Sequence, residues 1–180
     1  MLEQRPGHLE IIGETAAKLL LFQRGWNPFS RFLDVDKVDL ILRRNRKNKT
    51  EYREIQVKYR RLFEHQANKW DGKLFTATAW YNADLDEFAS HRTGLFVLFI
   101  FGYPNRKIEE NVLLFPSSDF HEIIKKSPPI KDGKKRVLYI SKARNGSGWF
   151  VWLSRRKFSS INSQTCQDVS KYLNNFASLE

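Results

Sequence analysis

The alternation of apolar and polar residues is most regular from residue 52 to residue 59, in the sequence Tyr-Arg-Glu-Ile-Gln-Val-Lys-Tyr. Alternate side chains of a β-strand point to opposite faces, and neighbours on one face are about 7 Å apart. The apolar face of this predicted strand carries Ile55, Val57 and Tyr59. The polar face carries Glu54, Gln56 and Lys58. We expect the apolar face to pack on a core, which leaves a carboxylate, a carboxamide and an ammonium group in one row on the other face.

A second strand-like run precedes this segment and completes a predicted hairpin. Residues Val38–Arg44 pair with Glu51–Tyr59 across a polar connection, and Asp39 lies at the start of the first strand. A carboxylate on one strand beside a polar row that ends in lysine is a layout suited to a metal-dependent phosphodiesterase. The pattern therefore predicts a candidate site together with the hairpin.

Apolar residues at helical spacing predict helices elsewhere in the chain. The predicted helices are 8–24, Leu62–Trp70, Leu85–His91, Ser118–Lys125 and Ser163–Leu179. Gly25 is the expected end of the first helix. The expected N-caps are Asp84 for the third helix and Ser118 or Asp119 for the fourth.

Short apolar runs predict further strands. These are Leu95–Tyr103, Asn111–Phe115, Arg136–Ser141 and Trp149–Leu153, while Leu74–Trp80 fits either a strand or a buried segment. The order of helices and strands predicts the α/β class, with a mixed sheet and helices on its faces. No repeat or linker interrupts residues 1–180, so we expect one domain.

Composition narrows the classes of partner. The chain is 41% hydrophobic and 14% aromatic, which predicts a core rather than disorder. There are 31 lysines and arginines against 20 aspartates and glutamates, a formal charge of +11. This excess favours a polyanionic partner, which could be DNA, RNA or an acidic membrane surface.

The single cysteine and the hydropathy pattern indicate the cellular compartment in which the protein is expected. Cys166 alone excludes an intramolecular disulfide and a multi-thiolate metal site, so a cytoplasmic location is expected. The first residues form no apolar signal core. The most hydrophobic stretch, 94–103, is shorter than the ~20 residues that cross a bilayer. We expect a buried central strand there and no membrane partner.

Four segments, taken in order, resemble the PD-(D/E)XK nuclease superfamily, which has the restriction-endonuclease-like fold. They are Gly13–Leu20 followed by Arg24-Gly25-Trp26, the strand Asp36–Leu42, the strand Ile55–Lys58, and the segment from Leu62 onward. The Gln-Val-Lys sequence is similar to the branch that includes intron-encoded homing endonucleases. The resemblance covers roughly residues 8–70 and implies an αβββαβ core with a central mixed β-sheet flanked by helices.

The resemblance also implies a Mg²⁺ site, with Mn²⁺ as a substitute, because both ions take hard oxygen ligands. Asp39 is the implied principal ligand, and Gln56 contributes its side-chain oxygen. The main-chain carbonyl of Val57 completes the protein ligands. Glu14 approaches from the first helix and binds a metal-bound water.

The lysine of the motif and one departure from it complete the implied site. Lys58 is expected to position the attacking water and to offset charge on the phosphate. Gln56 stands where the family pattern has a second acid, and Glu54 could supply the missing charge from the same face. Val38 stands at the position of the proline in the family motif. Many members of the superfamily lack this proline as well.

Each of these residues has a structural interpretation as well. Asp39 is also typical of an acid at a strand start, and the polar row is also typical of the solvated face of a hairpin. Glu14 could pair with Lys18 at i,i+4 spacing. Asp36 fits a turn or an alternative acid.

The remaining candidate groups favour structural roles. His65 and His91 are single histidines on predicted helices, and His8 and His121 have no zinc-like spacing. The aromatic cluster of Trp149, Phe150 and Trp152 is more typical of a core than of a base-stacking platform. Cys166 is expected to be a small core residue.

Basic residues cluster around the predicted hairpin. They are Arg43, Arg44, Arg46, Lys47 and Lys49, with Arg60 and Arg61 directly after Lys58. Two further clusters are Lys131, Lys134, Lys135 and Arg136, and Arg155, Arg156 and Lys157. Basic loops beside a metal site would bind DNA phosphates and set its register.

The function expected from these features is a Mg²⁺-dependent DNA endonuclease that hydrolyses phosphodiester bonds. One alternative is a catalytically weak or inactive relative that binds DNA through the same cleft, and Gln56 favours it. A second alternative is a basic RNA-binding module without a cleft. A homodimer would let two active sites cut two strands.

Overall fold

Two five-stranded sheets form the framework of the protein. The computed structural model describes residues 6–30, 37–47, 49–86, 94–105, 107–130, 133–146 and 148–180. The first sheet contains β1 (Asn27–Ser30), β2 (Leu40–Arg46), β3 (Lys49–Arg61), β6 (Leu95–Gly102) and β7 (Leu113–Pro116), in that order. The second contains β10 (Cys166–Asp168), β9 (Trp149–Trp152), β8 (Lys135–Ala143), β5 (Phe75–Asp84) and β4 (Phe63–Glu64). The helices are α1 (Pro6–Phe22), α2 (Trp70–Leu74) and α3 (Ser117–Lys126).

The first sheet is mixed and the second is antiparallel. In the first sheet β3 and β6 run parallel, while β1, β2 and β7 pair antiparallel with their neighbours. The connection between the parallel strands contains β4, α2 and β5, so the second sheet begins inside a crossover of the first. The predicted α/β class with a mixed sheet is confirmed.

The two faces of the first sheet are covered differently. One apolar cluster lies between this sheet and α1, and its buried members include Ala17, Leu21, Leu40, Leu42 and Ile55. A larger cluster lies between the two sheets and α3, and its members include Ala79, Val97, Phe99, Phe120 and Leu138. All eight residues of β6 are buried, as its continuous apolar sequence predicts for a central strand.

The first helix ends as its sequence predicts. Gly25 has a φ of 79°, the Gly25 N–H donates to Phe22 O at 3.0 Å, and the Trp26 N–H donates to Leu21 O at 3.2 Å. This pair of hydrogen bonds is the Schellman arrangement, in which glycine adopts the left-handed conformation without steric cost. None of the helices in the described part of the chain has the length and apolar character needed to cross a membrane.

The predicted helix at Leu62–Trp70 is wrong. Leu62 is buried, Phe63–Glu64 forms β4, and the short helix α2 begins only at Trp70. Phe63 pairs across from Thr78 and its ring stacks on Trp80, with centroids 4.5 Å apart. Cross-strand contacts to β5, which is distant in sequence, override the local helical spacing.

The predicted C-terminal helix at Ser163–Leu179 is also wrong. The segment forms β10 and two 3₁₀ turns, Ser170–Tyr172 and Phe176–Leu179. Cys166 pairs with Trp152 on β9, and Asn174 has a φ of 50°, which breaks a helix. Its apolar residues pack in two cores, Tyr172 between the sheets and Leu179 beside α1. No straight helix could serve both cores.

Smaller predictions have mixed outcomes. The ambiguous segment Leu74–Trp80 lies mostly in β5, and the strands predicted over 95–103, 111–115, 136–141 and 149–153 are present with shifted ends. The N-cap of α3 is Pro116, without a side-chain hydrogen bond, so the expected cap at Ser118 or Asp119 is wrong. Asp84 does accept a hydrogen bond from the Asp86 N–H at 3.0 Å, but most of the predicted helix 85–91 lies outside the described residues.

Candidate active site

The carboxylate of Asp39 lies where β2 separates from β3. The register of the two strands ends at Leu40 opposite Ile55, and Asp39 is the residue before it. The Asp39 N–H still donates to Ile55 O at 3.0 Å. At the next hydrogen-bonding position of β3, the side chain of Asp39 replaces the main chain of β2 as the hydrogen-bond partner. The Val57 N–H donates to Asp39 Oδ2 at 2.6 Å, a short hydrogen bond between main chain and side chain. The main chain of β3 therefore orients this half-buried acid.

The carbonyl of Val57 faces the same edge of β3 as this hydrogen bond. In an extended strand the N–H and C=O of one residue point to the same side. On the opposite edge, residues Glu54–Arg61 pair with β6. Among the described residues no strand pairs with Gln56–Arg61 on the Asp39 side. This edge thus brings together a carboxylate and a main-chain oxygen.

A cleft of about 330 Å³ lies between α1 and this part of β3. It is lined by Leu9, Glu10 and Glu14 from the helix and by Val57, Lys58, Tyr59 and Arg60 from the strand. Gly13 allows this close approach, because a Cβ at Gly13 would lie 2.7 Å from the Cβ of Tyr59. Four sequence-predicted residues therefore line one cleft: Glu14, Val57, Lys58 and Arg60.

Glu14 satisfies both interpretations of its sequence position. Its carboxylate lies 4.0 Å from Lys18 Nζ on the same helix, at i,i+4 spacing. This distance is at the limit of an ion pair, and both side chains are about one-third exposed, so the contact contributes little stability. Glu14 also lines the cleft. Because its ion pair with Lys18 is weak, the Glu14 carboxylate can turn toward a ligand in the cleft at little cost.

The polar row of β3 is not a solvated face. Gln56 is 3% exposed, and Glu54 and Lys58 are half-buried. The Lys58 ammonium lies 5.7 Å from the ring centroid of Tyr81 on β5, and the Arg60 guanidinium lies 4.5 Å from it. The second sheet covers this face, which the hairpin pattern alone could not reveal. Gln56 and Lys58 thus point to one side of β3, while Val57 and the helix lie on the other.

The candidate metal ligands at this edge are oxygen donors. Within the described ranges no three His, Cys, Asp or Glu side chains are grouped as a metal site. A metal held here would therefore depend on main-chain and water oxygens beside the carboxylates, as Mg²⁺ sites commonly do. The Val57 carbonyl and the second oxygen of Asp39 are hard donors of this kind.

The basic residues of the hairpin divide into two groups. Arg43, Lys47 and Lys49 are exposed. Arg44 instead donates to Glu51 at 2.9 Å and to Glu180 at 3.2 Å, and its guanidinium lies 4.3 Å from the ring centroid of Trp26. Glu51 belongs to the predicted hairpin, whereas Glu180 is 136 residues from Arg44 and was not apparent from the local sequence. Arg46 is exposed and lies 3.8 Å from Glu180.

Arg60 and Arg61 are half-buried at the end of β3. Arg60 Nη1 donates to Tyr59 O at 2.6 Å, on the edge that Asp39 borders. A guanidinium is thereby held beside the cleft. Of the other predicted residues, Asp36, His91 and Lys131 lie outside the described residues.

The histidine, aromatic and cysteine side chains for which structural roles were expected are buried or hydrogen-bonded within the fold. His65 Nδ1 lies 3.1 Å from Asp71, and His65 Nε2 lies 2.7 Å from the Thr78 hydroxyl. Burial lowers the pKa of His65, although Asp71 opposes this shift. The aromatic residues 149, 150 and 152 are buried, and so is Cys166, whose thiol pKa burial raises to about 11.

A second polar cluster was missed by the sequence patterns. Glu109 is 8% exposed and accepts hydrogen bonds from Tyr103 Oη at 2.7 Å, Asn111 Nδ2 at 3.0 Å and Lys142 Nζ at 3.2 Å. Burial opposes ionisation, but these three donors outweigh it and hold the pKa of Glu109 below its usual value. Burial, with Glu109 adding to it, raises the pKa of Tyr103. Lys142 is 33 residues away in sequence, so no local motif could have shown this cluster.

An exposed aromatic pair was also missed. Phe63 and Trp80 stack on β4 and β5 with 39% and 50% of their surfaces exposed. Trp80 ends the segment predicted as either a strand or a buried segment, and Phe63 lies in the segment wrongly predicted as a helix, so the pair was not expected.

Comparison with known proteins gave no match: no family model, curated protein or solved structure matches the chain.

Proposed function

We propose that the protein is a Mg²⁺-dependent DNA endonuclease with a restriction-endonuclease-like core. The observation that carries the proposal is the 2.6 Å hydrogen bond from the Val57 N–H to Asp39, beside the α1–β3 cleft. This hydrogen bond joins the Asp39 side chain, from the motif segment Asp36–Leu42, to the main chain of the motif segment Ile55–Lys58. A formal charge of +11 favours a polyanionic substrate.

The order of elements supports the core. The helix α1 is followed by β1, β2 and β3 in one sheet, and β6 then joins that sheet parallel to β3. The αβββαβ pattern has a helix between its third and fourth strands. Here that connection contains the five-residue α2 and two strands of the second sheet. The proposed core would therefore carry a sheet inserted at the place of its second helix.

The residues at the edge of β3 fit Mg²⁺. Asp39 and the Val57 carbonyl would hold the ion directly, and Glu14 would hold it through water, because Mg²⁺ retains several water ligands. Bound there, the ion would supply Lewis acidity and a more acidic water. Gln56 could add its carboxamide oxygen only if its side chain turns toward the edge, because it is buried beneath the second sheet.

The remaining residues would act on substrate. In hydrolysis a water oxygen forms a bond to phosphorus, the bond to one ester oxygen breaks, and that oxygen leaves with a proton. Lys58 lines the cleft, but its ammonium group lies toward Tyr81 on the other face of β3. It would orient the water and offset negative charge on the phosphate only if its side chain turns toward the edge, as Gln56 would have to. Arg60 would bind an adjacent phosphate from the same edge.

A DNA-binding protein with weak or no catalysis is the second candidate. It is favoured by Gln56, a neutral side chain where the family pattern has an acid, and by the absence of a three-acid group among the described residues. An RNA-binding module is the third. The exposed Phe63–Trp80 stack favours it, because unpaired bases stack on such rings.

The test is cleavage of supercoiled plasmid and of a four-way DNA junction with Mg²⁺ or Mn²⁺, comparing wild type with Asp39→Asn. Asparagine keeps an oxygen that can accept from Val57 but removes the charge. We expect the cleavage rate to fall at least about a hundredfold, as loss of metal-site groups does. Equal rates in both proteins would refute the assignment of Asp39 as the metal ligand. Binding without cleavage would favour the inactive candidate, and Gln56→Glu would then be tested for restored activity.

A further inference from the structure

Three arginines of the β2–β3 hairpin contact Glu180, two of them at its side-chain carboxylate and one at its main-chain oxygen. Arg44 Nη1 lies 3.2 Å from Glu180 Oε1, and Arg46 Nη1 lies 3.8 Å from Glu180 Oε2. Arg53 Nη2 donates to the main-chain oxygen of Glu180 at 3.4 Å. Guanidinium groups bind carboxylates and phosphates with the same planar donors. The arrangement is therefore an anion site with a carboxylate in it.

The three arginines lie on one face of the first sheet. Arg44 and Arg46 follow Leu42 at two-residue intervals on β2, and Arg53 precedes Ile55 by two residues on β3. Leu42 and Ile55 belong to the core beneath α1, so the arginines extend that face beyond the helix. The active-site cleft lies beside the same helix.

The site is held in shape by its neighbours. The Arg44 guanidinium lies 4.3 Å from the ring centroid of Trp26, and that of Arg53 lies 5.9 Å from it. Trp26 is 2% exposed and forms part of the core, so it provides a fixed support. Glu51 holds the other Arg44 nitrogen at 2.9 Å. A donor that is already oriented loses less entropy when it binds a ligand.

Glu180 is placed in the site by its neighbour but is held weakly. Leu179 is fully buried in the core beside α1, which fixes the adjacent Glu180 close to the hairpin. The Glu180 side chain is 53% exposed, and ion pairs at such exposure contribute little. The carboxylate thus has a high effective concentration at the site without a large binding energy. An external anion with several charges can displace it.

We infer that Arg44, Arg46 and Arg53 form a binding site for a backbone phosphate of DNA, in which Glu180 acts as an intramolecular competitor. The inference rests on the proposed function, which supplies DNA as the ligand. Arg46 lies seven residues from Asp39 along β2, about 23 Å in an extended strand. This length corresponds to roughly seven base pairs, so the site would fix the duplex away from the scissile phosphate.

The test compares Glu180→Gln with Glu122→Gln. Both changes remove one exposed, ion-paired carboxylate, since the two side chains are 53% and 58% exposed. Binding of a fluorescent DNA duplex is measured over a series of salt concentrations in EDTA, so that cleavage does not interfere. Glu180→Gln should tighten binding about two- to fivefold, the range for an exposed ion pair. Its log–log salt slope should steepen by about 0.9, the value for one added phosphate contact.

A second arm assigns any gain to the arginines. In the Glu180→Gln background, Arg46→Gln and Arg53→Gln should each remove most of the gain in affinity. Equal affinities of the Glu180 and Glu122 variants would overturn the inference and leave the nuclease proposal intact. A gain that survives both arginine changes would also overturn it. If no variant binds DNA, the proposed function itself fails, and the inference fails with it.

Discussion

The two halves of β3 differ in what holds them. The first half, Lys49–Ile55, pairs residue by residue with β2 and ends at Ile55, a buried core residue opposite Leu40. The second half, Gln56–Arg61, pairs with β6 on one edge, and a side chain, that of Asp39, takes the first N–H on the other edge. The strand is continuous, but its environment changes at one residue.

This difference separates scaffold from candidate chemistry. A completed ladder satisfies main-chain groups by pairing them with other main-chain groups. Where the ladder ends, the same groups become available to side chains and ligands, which is why sites form at strand ends. The first half of β3 carries Glu51, which pairs with Arg44 of the neighbouring strand β2, and the second half lines the cleft.

Lys58→Gln probes the chemistry of the second half and should have the largest effect. We expect cleavage of plasmid DNA to slow about a hundredfold, because one charged donor near the phosphate is lost. DNA binding should change little, since many other cations remain. Lys73→Gln, an exposed lysine on α2, is the matched control. If cleavage by Lys58→Gln matches the control, Lys58 serves only as a cation near Tyr81.

Gly13→Ala probes the contact that forms the cleft. The same change at Gly7 meets no atom within 4 Å, whereas at Gly13 the new Cβ would lie 2.7 Å from Tyr59. Overpacking should make Gly13→Ala less stable than Gly7→Ala by about 1–3 kcal/mol. Urea denaturation of both variants measures the difference. Equal stabilities would mean that α1 can move away from β3 at little cost.

Arg44→Gln probes the pairing of β2 with the first half of β3. Its loss removes contacts to Glu51, Glu180 and the Trp26 ring, so the denaturation midpoint should fall. Arg43→Gln removes the same charge from an exposed position on the opposite face and should leave the midpoint unchanged. A similar fall in both variants would indicate a general charge effect instead.

The Glu109 cluster should make a small contribution to the acid sensitivity of the fold. The Glu109 N–H donates to Phe101 O at 2.8 Å. This hydrogen bond anchors the end of β6, which pairs with the second half of β3. Because the folded pKa of Glu109 is below 4.5, its contribution is present above that pH and is lost as the pH falls through the folded value. Glu109→Gln should therefore flatten the decline in stability below pH 4.5. Urea midpoints of both proteins at a series of acidic pH values measure this, and parallel curves would contradict it.

The predictable part of the fold is local in origin. The strands β2, β3 and β6 have a regular alternation or a continuous apolar run, and α1 has helical spacing with glycine at its end. Each of these signals lies within one segment, so the sequence reveals it. Asp39 was named from such a segment, and Val57 and Glu14 from the resemblance to the nuclease superfamily. Asp39 contacts the main chain of Val57, and Val57 and Glu14 line one cleft, because adjacent segments form adjacent elements.

The mistaken helices have a common cause. In 62–70 and in 163–179 the apolar residues fit helical spacing, but their partners are distant in sequence. Phe63 meets Trp80, and Cys166 pairs with Trp152. Local spacing does not report such partners, and pairing with them outweighs a weak intrinsic preference.

The amino-acid sequence by itself determined the α/β class, the hairpin, the stop of the first helix and the excess of positive charge, because each depends on neighbouring residues or on composition. Only the tertiary structure decided which face of β3 is buried, since the second sheet that covers Gln56 arises from later segments. It also decided which cations pair with acids, because Glu180 reaches Arg44 across 136 residues. Contacts between distant segments depend on how the layers pack, and no local pattern encodes that.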